Sequence, residues 1–206
     1  MALVRVKPTQ ADVAIADAVA KRTGRPTEHV AEAVTWGADE HVLCALALSW
    51  WLYARTRDAS VRRDSDHVLL TTLVASALPH LLKTVFDQER PDRLTALGHL
   101  HGIPLSGKRL DAFPSGHAVH IGALASAATV LPPSQRNAVW AVGGGLVFTR
   151  IVLLAHWTSD VVAGLALGAA VERLLRLVTG FGRRLKRMGG TRRSGTWMSP
   201  LRFPTG

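Results

Sequence analysis

The sequence has few of the residues that build disulfide frameworks, cysteine metal centres or base-stacking surfaces. Cys44 is the only cysteine among 206 residues, so an intrachain disulfide and a cysteine metal cluster are both excluded. Aromatic residues make up 6% of the chain, and the strongly basic end of the sequence contains only Phe181, Trp197 and Phe203. Because single-stranded nucleic acids are held by aromatic side chains set between basic ones, the composition argues against nucleic-acid binding.

Acidic residues are also scarce, whereas hydrophobic residues are abundant and bunched. The chain has 15 Asp and Glu against 25 Lys and Arg, and residues 172–206 contain nine basic residues and one acidic residue. Hydrophobic residues make up 48%, with a mean hydropathy of +0.16. Bunched apolar segments with a basic tail predict a membrane protein whose tail faces anionic lipid in the cytoplasm. The first forty residues hold no run typical of a signal peptide, so the membrane segments are expected to direct insertion.

Five apolar segments predict an all-α fold, an integral membrane helical bundle of about five transmembrane helices. The predicted spans are 42–54, 67–86, 118–131, 138–155 and 161–177. Two amphipathic helices are predicted before them, one over 9–21 with Thr9 as its cap and one over 29–36. The chain therefore divides into an interfacial segment (1–41), a membrane-embedded domain (42–178) and a basic tail (179–206).

The placement of charge predicts how these segments are oriented. Four arginines lie between positions 55 and 66, and together with the basic tail they indicate the cytoplasmic side. The segment ends near Lys83, Pro114 and Arg150 then all lie at the outer face. Three polar clusters from distant parts of the chain are thus expected to meet at one membrane surface.

The cluster richest in candidate catalytic and anion-binding residues is Thr149-Arg150-Ile-Val-Leu-Leu-Ala-His156-Trp-Thr-Ser-Asp160. His156 and Asp160 are four residues apart, so on one helix they would share a face, and the carboxylate would orient the imidazole. Arg150 offers a planar, permanent cation suited to phosphate. Taken alone, the cluster is equally consistent with a helix-end histidine that is satisfied by a neighbouring aspartate.

The other two clusters add cations and a helix start. Lys83 and Arg90 lie seven residues apart before Pro91, an arrangement that suits an anionic substrate but also two basic side chains at a membrane boundary. The turn at residues 113–117 is expected to open a helix whose free N–H groups attract phosphate. In that turn Ser115 is expected to cap the helix and donate to an oxyanion, while His117 is placed to protonate a leaving oxygen.

Taken together, these motifs resemble the three-part signature of the type-2 phosphatidic acid phosphatase superfamily. The similar stretches are Lys83-x6-Arg90-Pro91, Pro114-Ser115-Gly116-His117 and Arg150-x5-His156-x3-Asp160. The superfamily also includes bacterial polyprenyl pyrophosphate phosphatases, glucose-6-phosphatase and vanadium haloperoxidases. The resemblance covers roughly residues 42–177, and it departs from the usual pattern at Thr149, where the family has serine.

The resemblance implies a metal-independent mechanism with a phosphohistidine intermediate and no cofactor. His156 would attack phosphorus with Asp160 orienting it, and His117 would act as the general acid. The implied phosphate-binding residues are Lys83, Arg90, Ser115, Gly116 and Arg150. Thr149 keeps a hydroxyl, so we expect a tolerated change with slightly altered phosphate contacts.

The expected partners are a lipid phosphate or pyrophosphate substrate and membrane lipids, with a polyprenyl carrier as the favoured substrate. Two alternatives stay open, a vanadate-dependent haloperoxidase and a non-catalytic protein that binds anionic lipid. A metal site is not expected, because the spacing of the candidate ligands matches no compact set. Those candidates are Asp92, His99, His101, Asp111 and His120.

Overall fold

The computed structural model describes residues 3–91 and 110–182, and helices dominate this part of the chain. The helices are α1 (Gln10–Arg22), α2 (Arg25–Thr35), α3 (Glu40–Ala54), α4 (Ala59–Leu82), α5 (Gly116–Ala127), α6 (Pro133–Val152) and α7 (Thr158–Thr179). Short 3₁₀ turns follow α2 (Trp36–Ala38) and α5 (Ala128–Val130). The predicted helical fold is confirmed. It is supplemented by one feature that the sequence did not predict, a parallel pairing of β1 (Val4–Arg5) with β2 (Phe86–Asp87).

Two helices begin earlier than the sequence predicted. Helix α4 begins at Ala59, before the predicted start at position 67, because arginines on an exposed face are good helix formers. Helix α6 begins at Pro133, before the predicted start at position 138. Proline suits the first position of a helix, since the N–H it lacks would have no partner there.

Within residues 3–91 and 110–182, no helix combines the length and apolar character that a bilayer span requires. Helices α3 and α5 contain 15 and 12 residues, whereas a span takes about 20. The longer α4 and α7 carry charged side chains in their sequences. The predicted count of about five transmembrane helices is therefore not confirmed.

Helices α5 and α7 pack so closely that glycines are required at their contact. A Cβ atom on Gly168 would lie 1.9 Å from the Val119 carbonyl oxygen, and one on Gly122 would lie 2.2 Å from the Leu165 carbonyl oxygen. Gly164 lies at the same contact, since a Cβ there would be 2.7 Å from the Ser115 carbonyl oxygen. In the glycine run 143–145 of α6 only Gly143 is close to another helix, because a Cβ at 144 or 145 would meet no described atom within 4 Å.

A pair of glycine substitutions tests this packing. Gly168→Ala is expected to destabilise the protein by about 1–3 kcal/mol or more, because backbone must move to accept the methyl group. Gly144→Ala is the matched control, and it should stabilise the helix by up to about 1 kcal/mol, since alanine has the higher helix propensity. Thermal unfolding of both variants measures the difference. Equal melting temperatures for the two variants would contradict the close contact of α5 with α7.

The N-terminal segment packs against the same end of the bundle that carries the sequence motifs. Capping of α1 by Thr9 is confirmed, since the Asp12 N–H donates to Thr9 Oγ1 at 3.1 Å. Ala16 of α1 belongs to a buried apolar cluster with Ala112, Leu154 and Trp157. Helix α2 packs on the end of α6 in the same way, through a second buried apolar cluster.

Candidate active site

The three predicted clusters meet at one end of the bundle, as the sequence indicated. Lys83 ends α4, Ser115 precedes α5, and Arg150 lies in the last turn of α6. Arg90 reaches the same place, because its Nη1 donates to the Ala155 carbonyl oxygen at 2.9 Å. His156, which follows directly, is therefore surrounded by positive charge.

A tight turn between α6 and α7 brings Arg150 and His156 together. The Ala155 N–H donates to the Arg150 carbonyl oxygen and the Leu154 N–H to that of Ile151, both at 3.0 Å. This pairing is the Schellman motif, which needs a left-handed residue where the helix ends. Leu154 occupies that position with a φ of 49°. A leucine there is strained by about 1–2 kcal/mol, and burial of its side chain against α1 offsets the strain.

The ring of His156 is buried and held in one tautomer. Its Nδ1 lies 2.7 Å from the Ala112 carbonyl oxygen. A carbonyl only accepts, so Nδ1 carries the proton and Nε2 keeps its lone pair. Burial lowers the pKa of His156 well below its usual range, and three nearby cations, Arg90 first among them, lower it further. The ring is thus uncharged, and the lone pair on Nε2 is free.

Asp160 differs from its predicted role as the hydrogen-bond partner of His156. Its Oδ2 accepts from the Trp157 N–H at 2.9 Å and lies 4.0 Å from His156 Nδ1. The prediction assumed one helix through both residues, but α7 begins at Thr158, so the carboxylate caps the helix instead. The Ala112 carbonyl orients the ring, and the Asp160 carboxyl lies next to it without a hydrogen bond.

Arg90 and Lys83 are linked by a carboxylate that the sequence analysis weighed only as a possible metal ligand. Asp111 Oδ1 accepts from Arg90 Nε at 3.1 Å and from Nη2 at 2.8 Å, and its Oδ2 lies 3.6 Å from Lys83 Nζ. The paired carboxylate fixes both cations and occupies donors that a phosphate would use. Asp92, His99 and His101, the other metal candidates, lie outside the described residues, and His120 instead meets the Ser76 hydroxyl at 3.2 Å.

The Arg150 guanidinium is buried but incompletely paired. Its Nη1 donates to Thr35 Oγ1 at 3.2 Å, whereas its Nε has no hydrogen-bond partner in the described part of the chain. A buried donor without a partner is costly, and it marks a place where an anion would be stabilised. Thr149 does not contribute, because its hydroxyl donates to the Leu146 carbonyl oxygen at 2.6 Å.

Ser115 stands at the predicted start of α5, but its side chain makes no capping hydrogen bond. Its hydroxyl is fully buried and has no partner among residues 3–91 and 110–182. Gly116 and His117 form the first turn beside it. Burial and the Arg150 guanidinium lower the pKa of His117 to about 3. A bound dianion would offset the repulsion from the cations and raise the pKa of His117.

The titration of Asp160 gives a testable pH dependence. Burial raises the pKa of its carboxyl to about 7, while His156 stays neutral across this range. The carboxylate that supports His156 is therefore lost as the pH falls through about 7, and kcat/KM should fall with it. In Asp160→Asn this acid limb should be absent, and kcat/KM should stay at a lower value that does not change over this pH range. A smaller acid limb that remains in the variant belongs to the substrate phosphate, whose second pKa is about 6. A pH profile identical to that of the wild type would contradict the assignment of the limb to Asp160.

A buried, uncharged histidine lies among three cations at one end of the helical bundle, an arrangement that suits the binding of an anion. The chain belongs to the PAP2 superfamily, whose pattern it matches over residues 67–183. This match confirms the family resemblance of the three motifs.

Two curated relatives share sequence with part of this chain, and both are named lipid A 1-phosphatase. The protein from Rhizobium johnstonii is 36% identical over 113 residues, which is 54% of this chain and 46% of the relative. The protein from Rhizobium etli is 39% identical over 112 residues, which is 53% of this chain and 48% of the relative. The match thus spans about half the length of each relative.

Two crystal structures share the fold. LpxE from Aquifex aeolicus superposes with a TM-score of 0.62 at 14% identity, covering 84% of this chain and 98% of that one. The transmembrane PAP2-type phosphatidylglycerolphosphate phosphatase from Bacillus subtilis gives a TM-score of 0.57 at 21% identity, covering 86% and 87%. The helical arrangement is therefore that of PAP2-type membrane phosphatases.

Proposed function

We propose that this chain is a metal-independent phosphatase that hydrolyses a lipid phosphate or pyrophosphate through a phosphohistidine on His156. The observation that supports this most directly is the state of the His156 ring. Its Nδ1 is hydrogen-bonded to the Ala112 carbonyl, and burial together with Arg90, Arg150 and Lys83 lowers its pKa. A neutral nitrogen with a free lone pair beside fixed cations suits in-line attack on a phosphate.

The reaction proceeds in two balanced steps. In the first, His156 Nε2 forms a bond to phosphorus as the bond to the leaving oxygen breaks, and His117 gives its proton to that oxygen. In the second, His117 takes a proton from water, the water oxygen bonds to phosphorus as the bond from phosphorus to His156 Nε2 breaks, and inorganic phosphate is released. Arg150, Arg90 and Lys83 neutralise the equatorial oxygens, and the buried Ser115 hydroxyl and the start of α5 add further donors.

The substrate is a lipid that presents its phosphate at a membrane surface. Helix α3 supports this, because several of its large apolar side chains are not covered by other parts of the described chain. They are Leu46, Leu48, Trp50, Leu52 and Tyr53. We infer an integral protein of the bacterial plasma membrane, with the site at the outer face and the basic tail in the cytoplasm. The names of the relatives add lipid A 1-phosphate to the polyprenyl pyrophosphate favoured by the sequence.

A panel of lipid phosphates tests this function. Phosphate release by the detergent-purified protein would be measured with EDTA present on lipid A 1-phosphate, a polyprenyl pyrophosphate, phosphatidic acid and phosphatidylglycerol phosphate. Release that survives EDTA is expected for at least one lipid, and the relative kcat/KM values rank the substrates. No release from any of the four, or release that EDTA abolishes, would contradict the proposal.

A further inference from the structure

The N-terminal segment, residues 3–39, lies outside the stretch that matches the family, yet it reaches the site. β1 pairs with β2 just before Arg90, and α1 and α2 pack on the ends of α6 and α7. Two of its polar side chains, Asp12 and Thr35, are buried and bonded to the turns that carry the candidate catalytic groups.

Thr35 holds the guanidinium of Arg150. Its Oγ1 accepts from Arg150 Nη1 at 3.2 Å, across 115 positions of sequence. Thr35 is 7% exposed and Arg150 is 5% exposed. A buried arginine side chain has several rotatable bonds, and one fixed nitrogen restricts the plane of the whole group. The hydroxyl of Thr35 therefore determines where the unpaired Nε points.

Asp12 holds the turn between His156 and Asp160. Its Oδ1 accepts from the Ser159 N–H at 2.8 Å, while its Oδ2 accepts from the Thr9 N–H at 2.9 Å and from the Thr9 hydroxyl at 2.8 Å. The N–H groups in the first turn of a helix have no partner within that helix. Asp12, which belongs to α1, supplies a hydrogen-bond acceptor for the Ser159 N–H and thereby fixes the start of α7.

We propose that the N-terminal segment completes the phosphate site, with Thr35 positioning Arg150 and Asp12 positioning the turn from His156 to Asp160. The inference rests on the proposed phosphatase function, which it deepens. Neither residue contacts the reacting atoms. Thr35 acts through its hydrogen bond to the Arg150 guanidinium, and Asp12 through its hydrogen bond to the backbone between His156 and Asp160, so each is a positioning residue.

The Thr35 arm is tested by Thr35→Val, which keeps the shape and removes the hydroxyl. Thr35→Ser keeps the hydroxyl, and Thr27→Val is a control at an exposed threonine of the same helix. A hydrogen bond to a charged group contributes about 1.5–3 kcal/mol, so we expect Thr35→Val to weaken inhibition by orthovanadate and to lower kcat/KM by about tenfold or more. Thr35→Ser should restore both, and Thr27→Val should change neither. Unchanged vanadate inhibition in Thr35→Val, or a loss that Thr35→Ser does not restore, would overturn the proposal.

The Asp12 arm is tested by Asp12→Asn, with Asp17→Asn as the control at an exposed aspartate of α1. Removing the Asp12 charge should lower the pKa of Asp160, because Asp12 contributes to raising it. Arg90 and His156 also face Asp160 and are unchanged in this comparison. The acid limb of kcat/KM should therefore move to lower pH in Asp12→Asn alone. A lowered melting temperature with an unmoved limb would show a purely structural role and overturn this arm.

Binding separates this inference from the proposed function. Stabilisation of the protein by inorganic phosphate or orthovanadate, read as a rise in melting temperature, does not depend on turnover. If the wild type hydrolyses no lipid but is stabilised by orthovanadate, and Thr35→Val loses that stabilisation, the positioning role stands while the phosphatase proposal fails. If orthovanadate stabilises Thr35→Val as much as the wild type, the positioning role fails, whatever the activity.

Discussion

Replacing His156 with alanine is expected to abolish phosphate release, by about 10⁴-fold or more. In the proposed mechanism the imidazole forms the bond to phosphorus, and no other described side chain in the site offers a neutral nitrogen with its second nitrogen fixed by a carbonyl. The cations remain in the variant, so lipid affinity should be largely kept while turnover is lost. Loss of kcat with little change in substrate binding is the pattern of a removed nucleophile.

The measurement compares wild type, His156→Ala and His29→Ala, the last a control at an exposed histidine of α2. Brief reaction with a ³²P-labelled lipid followed by an alkaline quench should trap label on the wild type and on His29→Ala. His156→Ala should show neither label nor release. Equal phosphate release by His156→Ala and the wild type would refute the assignment. If all three proteins bind the lipid and none releases phosphate, a non-catalytic anionic-lipid-binding protein is favoured.

Loss of His117 is expected to have the second largest effect, and its size should depend on the leaving group. General acid catalysis contributes about 10²–10⁴-fold when the leaving oxygen is a poor one, such as a lipid alcohol. An aryl oxide leaves without a proton. His117→Asn should therefore reduce kcat/KM strongly for lipid monophosphates and far less for p-nitrophenyl phosphate.

The ratio kcat/KM is the right quantity for this test, because it covers only the steps up to formation of the phosphohistidine. His41→Asn, at an exposed histidine of α3, provides the control and should leave kcat/KM unchanged for both substrates. An equal loss for the alkyl and aryl substrates in His117→Asn would assign His117 to binding and not to proton transfer.

Much of the site could be predicted from the sequence because its parts are local. Lys83, Ser115 and Arg150 each lie at a helix end that composition and turn residues mark, and the polar clusters stand out against apolar segments. The cap of α1 was predictable for the same reason, since Thr9 and Asp12 are three residues apart.

The remaining parts depend on tertiary contacts that no local pattern shows. The carbonyl that orients His156 belongs to Ala112, a residue without a functional side chain. Thr35 meets Arg150 from 115 positions away. Asp111 carried a weak signal, an acidic residue just before a phosphate-binding turn, but its pairing with Arg90 needed the fold to be known.

The left-handed Leu154 gives a physical origin to the fixed spacing of Arg150 and His156. Three residues after α6 form the turn that reverses the chain, and the next one is His156, the proposed nucleophile. Inserting or deleting a single residue there would leave both side chains in the polypeptide but turn one of them away from the other. The number of residues between Arg150 and His156 is thus set by the turn that ends α6. Homologues that keep this spacing are expected to keep the backbone turn even where every intervening side chain differs.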